Sequence, residues 1–276
     1  MHNNSHTHGS HESWEEVYKD LDLSYSEETD TQGKLFEIVK VEFLKELFPK
    51  KAKMLEVGCG SAFVSLYFTK RGFQVSCLDI NKFILEVAKK NFKKERVKGE
   101  FVVGDAEKLP FKSQEFDIVT SFGLLEHFEN PKNAISEMVR VLKPNGILFA
   151  DIVPNRFSVQ SIGNVFNGLA VFSFWSLKGK IGIGLKKAIN NFRPQYFENS
   201  ISWQDYKKIM EKVGLGNVEV RGNRPYPRLT LPKSLDSLYA SILKPTIFLW
   251  KLFDRLDNPL SKVWGAGLWF WGYKSG

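Results

Sequence analysis

Two glycines at the end of an apolar run mark the first place where this chain could hold a ligand. In Glu56-Val57-Gly58-Cys59-Gly60 they follow the stretch 53–57, and glycine lets backbone amides approach a bound molecule without side-chain interference. The chain continues Ser61-Ala62-Phe63, so the third glycine of the full dinucleotide fingerprint is missing. Asp79, closing the next apolar run, is a residue type that accepts hydrogen bonds from ribose hydroxyls. A nicotinamide dinucleotide therefore stays open at this level, beside other nucleoside cofactors. Farther along, Glu126-His127 sets two titratable groups side by side, suited to taking a proton from an acidic OH, NH or CH. His127 is the single histidine outside the first eleven residues. His2, His6, His8 and His11 read as a disordered leader, since no second ligand cluster closes a site with them, and no metal is expected. Cys59 and Cys77 are too few for a disulfide framework, which suits a reducing, cytoplasmic setting. The polar first residues lack the apolar segment of a secretory signal.

The elements that must position these residues alternate. Helical periodicity over 33–47 stops at Pro49, and a strand over 53–57 leads into the glycine turn. An amphipathic stretch follows over 62–70, then a strand over 74–78 that ends in Asp79. Asn81 caps a helix reaching about Lys93, and strands are predicted over 101–103 and 116–120. A helix over 131–142 has Pro131 in its first turn, and Lys143-Pro144-Asn145-Gly146 turns the chain into a strand over 147–152. Beyond a long gap come a helix over 203–213, a strand over 217–220 and an aromatic strand over 267–273. This alternation predicts an α/β fold of βαβ units, its parallel sheet covered on both faces. Right-handed crossovers then put the strands' C-terminal ends along one edge, where ligands bind.

With these motifs in order over 53–153, the sequence resembles the class I S-adenosylmethionine-dependent methyltransferases, and most closely the subgroup that includes quinone-biosynthesis enzymes. Leu55-Glu56-Val57-Gly58-Cys59-Gly60 is similar to that family's first motif, and Gly104-Asp105-Ala106-Glu107-Lys108-Leu109-Pro110-Phe111 to its adenine-contacting segment. Phe116-Asp117-Ile118-Val119 and Leu142-Lys143-Pro144-Asn145-Gly146 match its fourth- and fifth-strand signatures. The resemblance implies a Rossmann-like seven-stranded sheet, mostly parallel with an antiparallel last strand. It also implies S-adenosylmethionine as cofactor. Asp79 would take the ribose hydroxyls, Ile80 would pack on adenine, and Asp105, beside Ala106, would accept from the exocyclic amine. The cofactor's carboxylate could sit on the amides of Gly58, Cys59 and Gly60, and its ammonium near Glu56 or the Ser121-Phe122 backbone. Glu126 and His127 become the candidate general base, needed only if the acceptor must lose a proton. Structural roles stay open: a strand-end acid paired with lysine for Glu56, a helix cap for Asp79, a turn for Asp105, packing for His127.

At 276 residues and a formal charge of +8, the chain has room for one large domain with insertions, and its charge is uneven. From Pro154 to Phe197 there is no acidic residue, against Arg156, Lys178, Lys180, Lys186, Lys187 and Arg193. The expected layout is a tail and cap segment (1–32), a core (33–153), a lid insertion (154–200) and a second part of the core (201–276) with its own insertion (222–266). Both insertions leave from C-terminal strand ends and should fold over the active-site edge. The uncharged stretch 157–177 is long enough to span a bilayer, but Gln160, Asn164, Asn167 and four serines make it too polar. An amphipathic lid with a basic rim is expected instead, lining an apolar pocket or resting on a membrane. The expected partner is a small-molecule or lipid-like acceptor, with peripheral membrane contact. No nucleic-acid-binding module is recognisable. Rivals are RNA or protein methylation and a non-catalytic partner that binds the cofactor.

Overall fold

Strands buried on both faces need helices on both sides, and the order of elements supplies them. The computed structural model describes residues 23–153, 155–190 and 197–276; the histidine-bearing start, Pro154 and Arg193 lie outside the described residues. In chain order the first half holds α1 (Gln32–Leu47), β1 (Lys53–Val57), α2 (Phe63–Thr69), β2 (Gln74–Asp79), α3 (Lys82–Lys94), β3 (Glu100–Val103) and β4 (Phe116–Phe122). A 3₁₀ turn (Leu125–His127), α4 (Lys132–Val141) and β5 (Leu142–Ile152) complete it. Then follow α5 (Val159–Leu177), α6 (Ile181–Asn190), α7 (Trp203–Lys212) and β6 (Leu215–Asn223). Last come α8 (Lys233–Leu243), α9 (Ile247–Asp254), α10 (Pro259–Trp264) and β7 (Gly267–Lys274).

The seven strands form one sheet in the order β3-β2-β1-β4-β5-β7-β6. The β1 to β5 pairs are parallel, while β7 runs antiparallel to both β5 and β6. Successive side chains point to opposite faces. Leu55, Val57, Val119, Leu148 and Phe270 bury one face against Ile135 and Met138 of α4 and Tyr206 and Met210 of α7. Met54, Ile118, Phe149 and Trp269 bury the other against α1, α2 and α3. Asn81 caps α3 as its spacing implies, its Oδ1 accepting from the Phe83 and Ile84 amides. The strand order reverses between β1 and β4, so the crevice at their C-terminal ends is where a ligand fits.

Pairing lengthens some strands beyond their apolar cores. Strand β4 runs on to Phe122 because Ser121 and Phe122 pair with Ala150 and Asp151. Strand β5 begins at Leu142, so Lys143–Gly146 is an irregularity inside the strand rather than a turn before it. Phe116 pairs with Leu142 and Ile118 with Ile147, leaving the extra residues to bulge at Asn145, whose φ is 60°. Strand β6 gains residues at both ends from its ladder with β7.

The two insertions behave differently. In the second, Leu243 of α8 and Trp250 of α9 pack on Leu35, Phe36 and Val39 of α1 as a third apolar cluster, and Gly222 leaves no room for a Cβ against the Ser261 carbonyl of α10. In the first, α5 buries only Val159, Gly163, Asn167 and Gly168, and α6 only Gly184. Its aromatics Phe157, Phe166 and Phe174 stay exposed.

Candidate functional site

The glycine turn owes its shape to positive φ at Gly58 (69°) and Gly60 (52°). A Cβ on Gly58 would meet Leu124 at 3.0 Å, whereas nothing lies within 4 Å of one on Gly60. The turn is pinned to β2: the Gly58 and Cys59 amides donate to the Leu78 carbonyl at 2.8 and 3.0 Å, and the Gly60 amide donates to Asp79 Oδ2 at 3.0 Å. All three amides expected to take a cofactor carboxylate are therefore engaged with β2. The buried Asp79 also accepts from the Asn81 amide through Oδ1, so it braces the turn, a role its sequence position did not reveal.

Glu56 lies under the turn, 3% exposed, with Oε2 accepting from the Ser65 amide of α2 at 2.9 Å. Its partner is thus a helix amide rather than the lysine that a strand-end acid would suggest. Burial pushes its carboxyl up to about 7, with Ser65 and Lys40 pulling the other way. Ser121 pairs with Val57 across β1 and β4, and its buried Oγ has no hydrogen-bond partner. Ile80 is 40% exposed just beyond β2. Asp105 accepts from the Glu107 amide at 2.8 Å and so serves its turn, with Ala106 buried beside it. Asp79 is in register with Val103, which brings Asp79 and Asp105 to neighbouring strand ends.

The 3₁₀ turn after β4 carries Glu126 and His127 at the same edge. Glu126 is 2% exposed; Oε1 accepts from the Val153 amide at 3.1 Å and Oε2 is buried without a hydrogen-bond partner. Burial, reinforced by nearby Asp151 and Glu198, pushes its carboxyl up to about 8. His127 Nδ1 lies 2.8 Å from the Phe197 carbonyl, which fixes the proton on Nδ1 and the lone pair on Nε2 in the neutral ring. The chain returning from the first insertion clamps this turn. The Asn199 amide donates to the Glu126 carbonyl at 2.7 Å, and Asn199 Nδ2 donates to the Leu125 and Phe128 carbonyls at 3.2 and 2.8 Å. Tyr206 of α7 completes the clamp by donating to the Leu125 carbonyl.

A second polar group lies beside it. Asp151 at the end of β5 accepts from Asn223 Nδ2 at 3.1 Å, with Arg224 at 3.6 Å and Lys40 at 3.9 Å. Lys40 also sits 4.8 Å from the Phe122 ring centre. Neither this group nor the Asn199 clamp was visible in the sequence, where a lysine inside a helix reads as a solvated residue.

These residues fit S-adenosylmethionine. The partnerless Ser121 Oγ and the buried Glu56 are groups that a polar, positively charged ligand would complete, and the space beside Gly60 is open. Residues 55–150 match a methyltransferase domain family. A ubiquinone biosynthesis O-methyltransferase of Coxiella burnetii is 30% identical over 120 residues, 43% of this chain and 51% of the relative, so the match spans about half the length of that relative. A demethylmenaquinone methyltransferase of Leptospira interrogans is 31% identical over 194 residues, 66% of this chain and 74% of the relative. The crystal structure of an S-adenosylmethionine-dependent methyltransferase from Thermotoga maritima, described as a possible histamine N-methyltransferase, superposes with a TM-score of 0.55 over 87% of this chain and 89% of that one. At 17% identity, that likeness speaks for the fold alone.

Proposed function

This chain belongs to the S-adenosylmethionine-dependent methyltransferases, and from that premise we propose that it methylates a small, lipid-like acceptor at a membrane surface. Family membership sets the nicotinamide reading aside. The acceptor class is supported by the two relatives, whose names speak of quinone methylation. The observation that carries the reading is the convergence of Gly58, Asp79, Asp105, Ser121 and His127 at one sheet edge. Among the described residues no helix is long and apolar enough to cross a membrane, so contact with lipid would be peripheral.

When bound, the cofactor supplies an electrophilic methyl group on its sulfonium. The protein's part is to hold the reactants in line, since proximity supplies much of the acceleration in such a displacement. Asp79 would accept from the ribose hydroxyls while bracing Gly60, Ile80 would cover the adenine, and Asp105, with Ala106, would take its amine. Glu56 and the Ser121–Phe122 strand end would receive the ammonium. With the amides of Gly58, Cys59 and Gly60 engaged, the cofactor carboxylate would lie against the turn, with other donors completing it. For an acidic acceptor, His127 Nε2 would take the proton. Glu126 stays protonated at neutral pH and keeps the turn closed through Val153, as a positioning residue.

The test uses the full-length protein with methyl-tritiated S-adenosylmethionine, offered in turn a demethylmenaquinone-containing lipid extract, RNA and a mixed protein fraction. Label in the organic phase is the expected result. Label in RNA or protein would replace the lipid-like acceptor, and cofactor binding with no label anywhere would favour the non-catalytic partner.

A further inference from the structure

The α5–α6 hairpin presents a surface whose composition the catalytic core does not use. Its inner side is committed: Gly163 lies flush against Pro227, and Asn167 accepts from the Thr230 amide at 2.8 Å. Gly184 of α6 lets that helix lie close against Trp175 and Phe172 of α5. The outer side is apolar and open to solvent, with Phe166 (60%), Leu169 (57%), Leu177 (90%) and Ile181 (61%) all exposed. Soluble surfaces rarely expose so continuous an apolar face unless something covers it.

Charge says what covers it. Lys178, Lys180 and Lys187 gather over the Trp175 ring at 5.8, 5.7 and 4.6 Å, and Lys178 lies 4.2 Å from Phe174. Lys186 is exposed beside them, and no acidic residue occurs from 155 to 190. Lysines gathered at aromatic rings beside exposed aliphatic side chains match the boundary between anionic headgroups and acyl chains. Lysine stems can lie along the apolar surface while their ammonium groups reach the headgroups. A second copy of the chain fits poorly, because a two-fold interface built from this face holds no acidic residue to pair with its lysines.

We propose that the α5–α6 hairpin docks the protein on an anionic bilayer, with its apolar face entering the interface and Lys178, Lys180, Lys186 and Lys187 on the headgroups. Asn199, which clamps the His127 turn, follows the end of the hairpin by nine residues along the chain. This rests on the reading of a lipid-like acceptor but is measured separately from it.

Full-length protein is sedimented with vesicles of pure phosphatidylcholine and of equimolar phosphatidylcholine and phosphatidylglycerol. Binding is expected to the anionic vesicles only, and it should weaken as salt shortens the Debye length. At about five-fold per lysine, the combined variant K178E/K180E/K186E/K187E should lose at least several hundred-fold in partitioning. Its S-adenosylmethionine affinity, read by calorimetry, should not change. The F166S/L169S/L177S variant alters only exposed positions and should also detach. No binding to anionic vesicles at low salt would overturn the proposal, as would a lipid-free dimer that F166S/L169S/L177S dissociates. Vesicle binding without methyl transfer to any lipid would instead sink the acceptor reading and leave docking intact.

Discussion

Glu56 shows how a single buried carboxyl can report on its ligand. Burial raises its pKa to about 7 against the weaker pull of Ser65 and Lys40, so at pH 6 the group is largely protonated. An ammonium placed beside it favours the ionised form and lowers that pKa. Binding should therefore release a proton below about pH 7, and cofactor affinity should rise as pH climbs through that value. Calorimetry in two buffers of different ionisation enthalpy would detect the released proton. The Glu56→Gln variant should bind about 1.5–3 kcal/mol more weakly at pH 8, the worth of a charge-assisted hydrogen bond, and release no proton. Proton release that persists in the glutamine variant would assign the ammonium to another acceptor.

The 3₁₀ turn after β4 depends on a partner far away in sequence. Asn199, 5% exposed, satisfies the Leu125 and Phe128 carbonyls from the far end of the first insertion, seventy-odd residues along the chain. Asn199→Ala would take one donor from each of these buried carbonyls, leaving Leu125 with Tyr206, at a cost of about 1–3 kcal/mol in chemical denaturation. The glycine turn and Asp79 are untouched by this change, so cofactor affinity should hold while the turnover number falls as His127 loses its setting. Unchanged turnover in a destabilised variant would show that the clamp serves stability alone. The same separation explains what the sequence could offer here. Glu126 and His127 stood out by residue type, but nothing local to Asn199 or Tyr206 marks them as partners of that turn.

The whole molecule carries an unusual pH signature from its buried acids. Glu56 and Glu126, raised to about 7 and 8, keep protons in the folded chain that the unfolded chain releases above the ordinary carboxylate range. The folded state then binds more protons than the unfolded one, so stability is greatest on the acid side of that window and falls as pH rises toward about 8. Each such proton contributes about 1.4 kcal/mol per pH unit within its window. At lower pH, Glu27, held down to about 2 chiefly by Arg71, has the opposite effect, its stabilisation being lost as it protonates. Thermal unfolding of the cofactor-free protein should show a melting temperature that drops from mildly acidic pH to pH 8, with a shallower drop in Glu126→Gln. A flat profile in the parent protein would mean that these carboxyls ionise freely in the folded state. By itself the sequence determined the alternating elements and the sheet edge at which the glycine turn sits, because strand–helix periodicity and a glycine turn at a strand end are local signals. It also marked the basic, apolar character of the hairpin. Only the tertiary structure decided that the turn's amides are engaged with β2, that Glu56 pairs with a helix amide and that Asn199 holds the His127 turn. It also decided that the first insertion leaves Phe157, Phe166 and Phe174 in solvent while the second buries Trp250. Those outcomes rest on which groups far apart in the chain come within hydrogen-bonding distance or escape water, and composition and spacing carry no record of that.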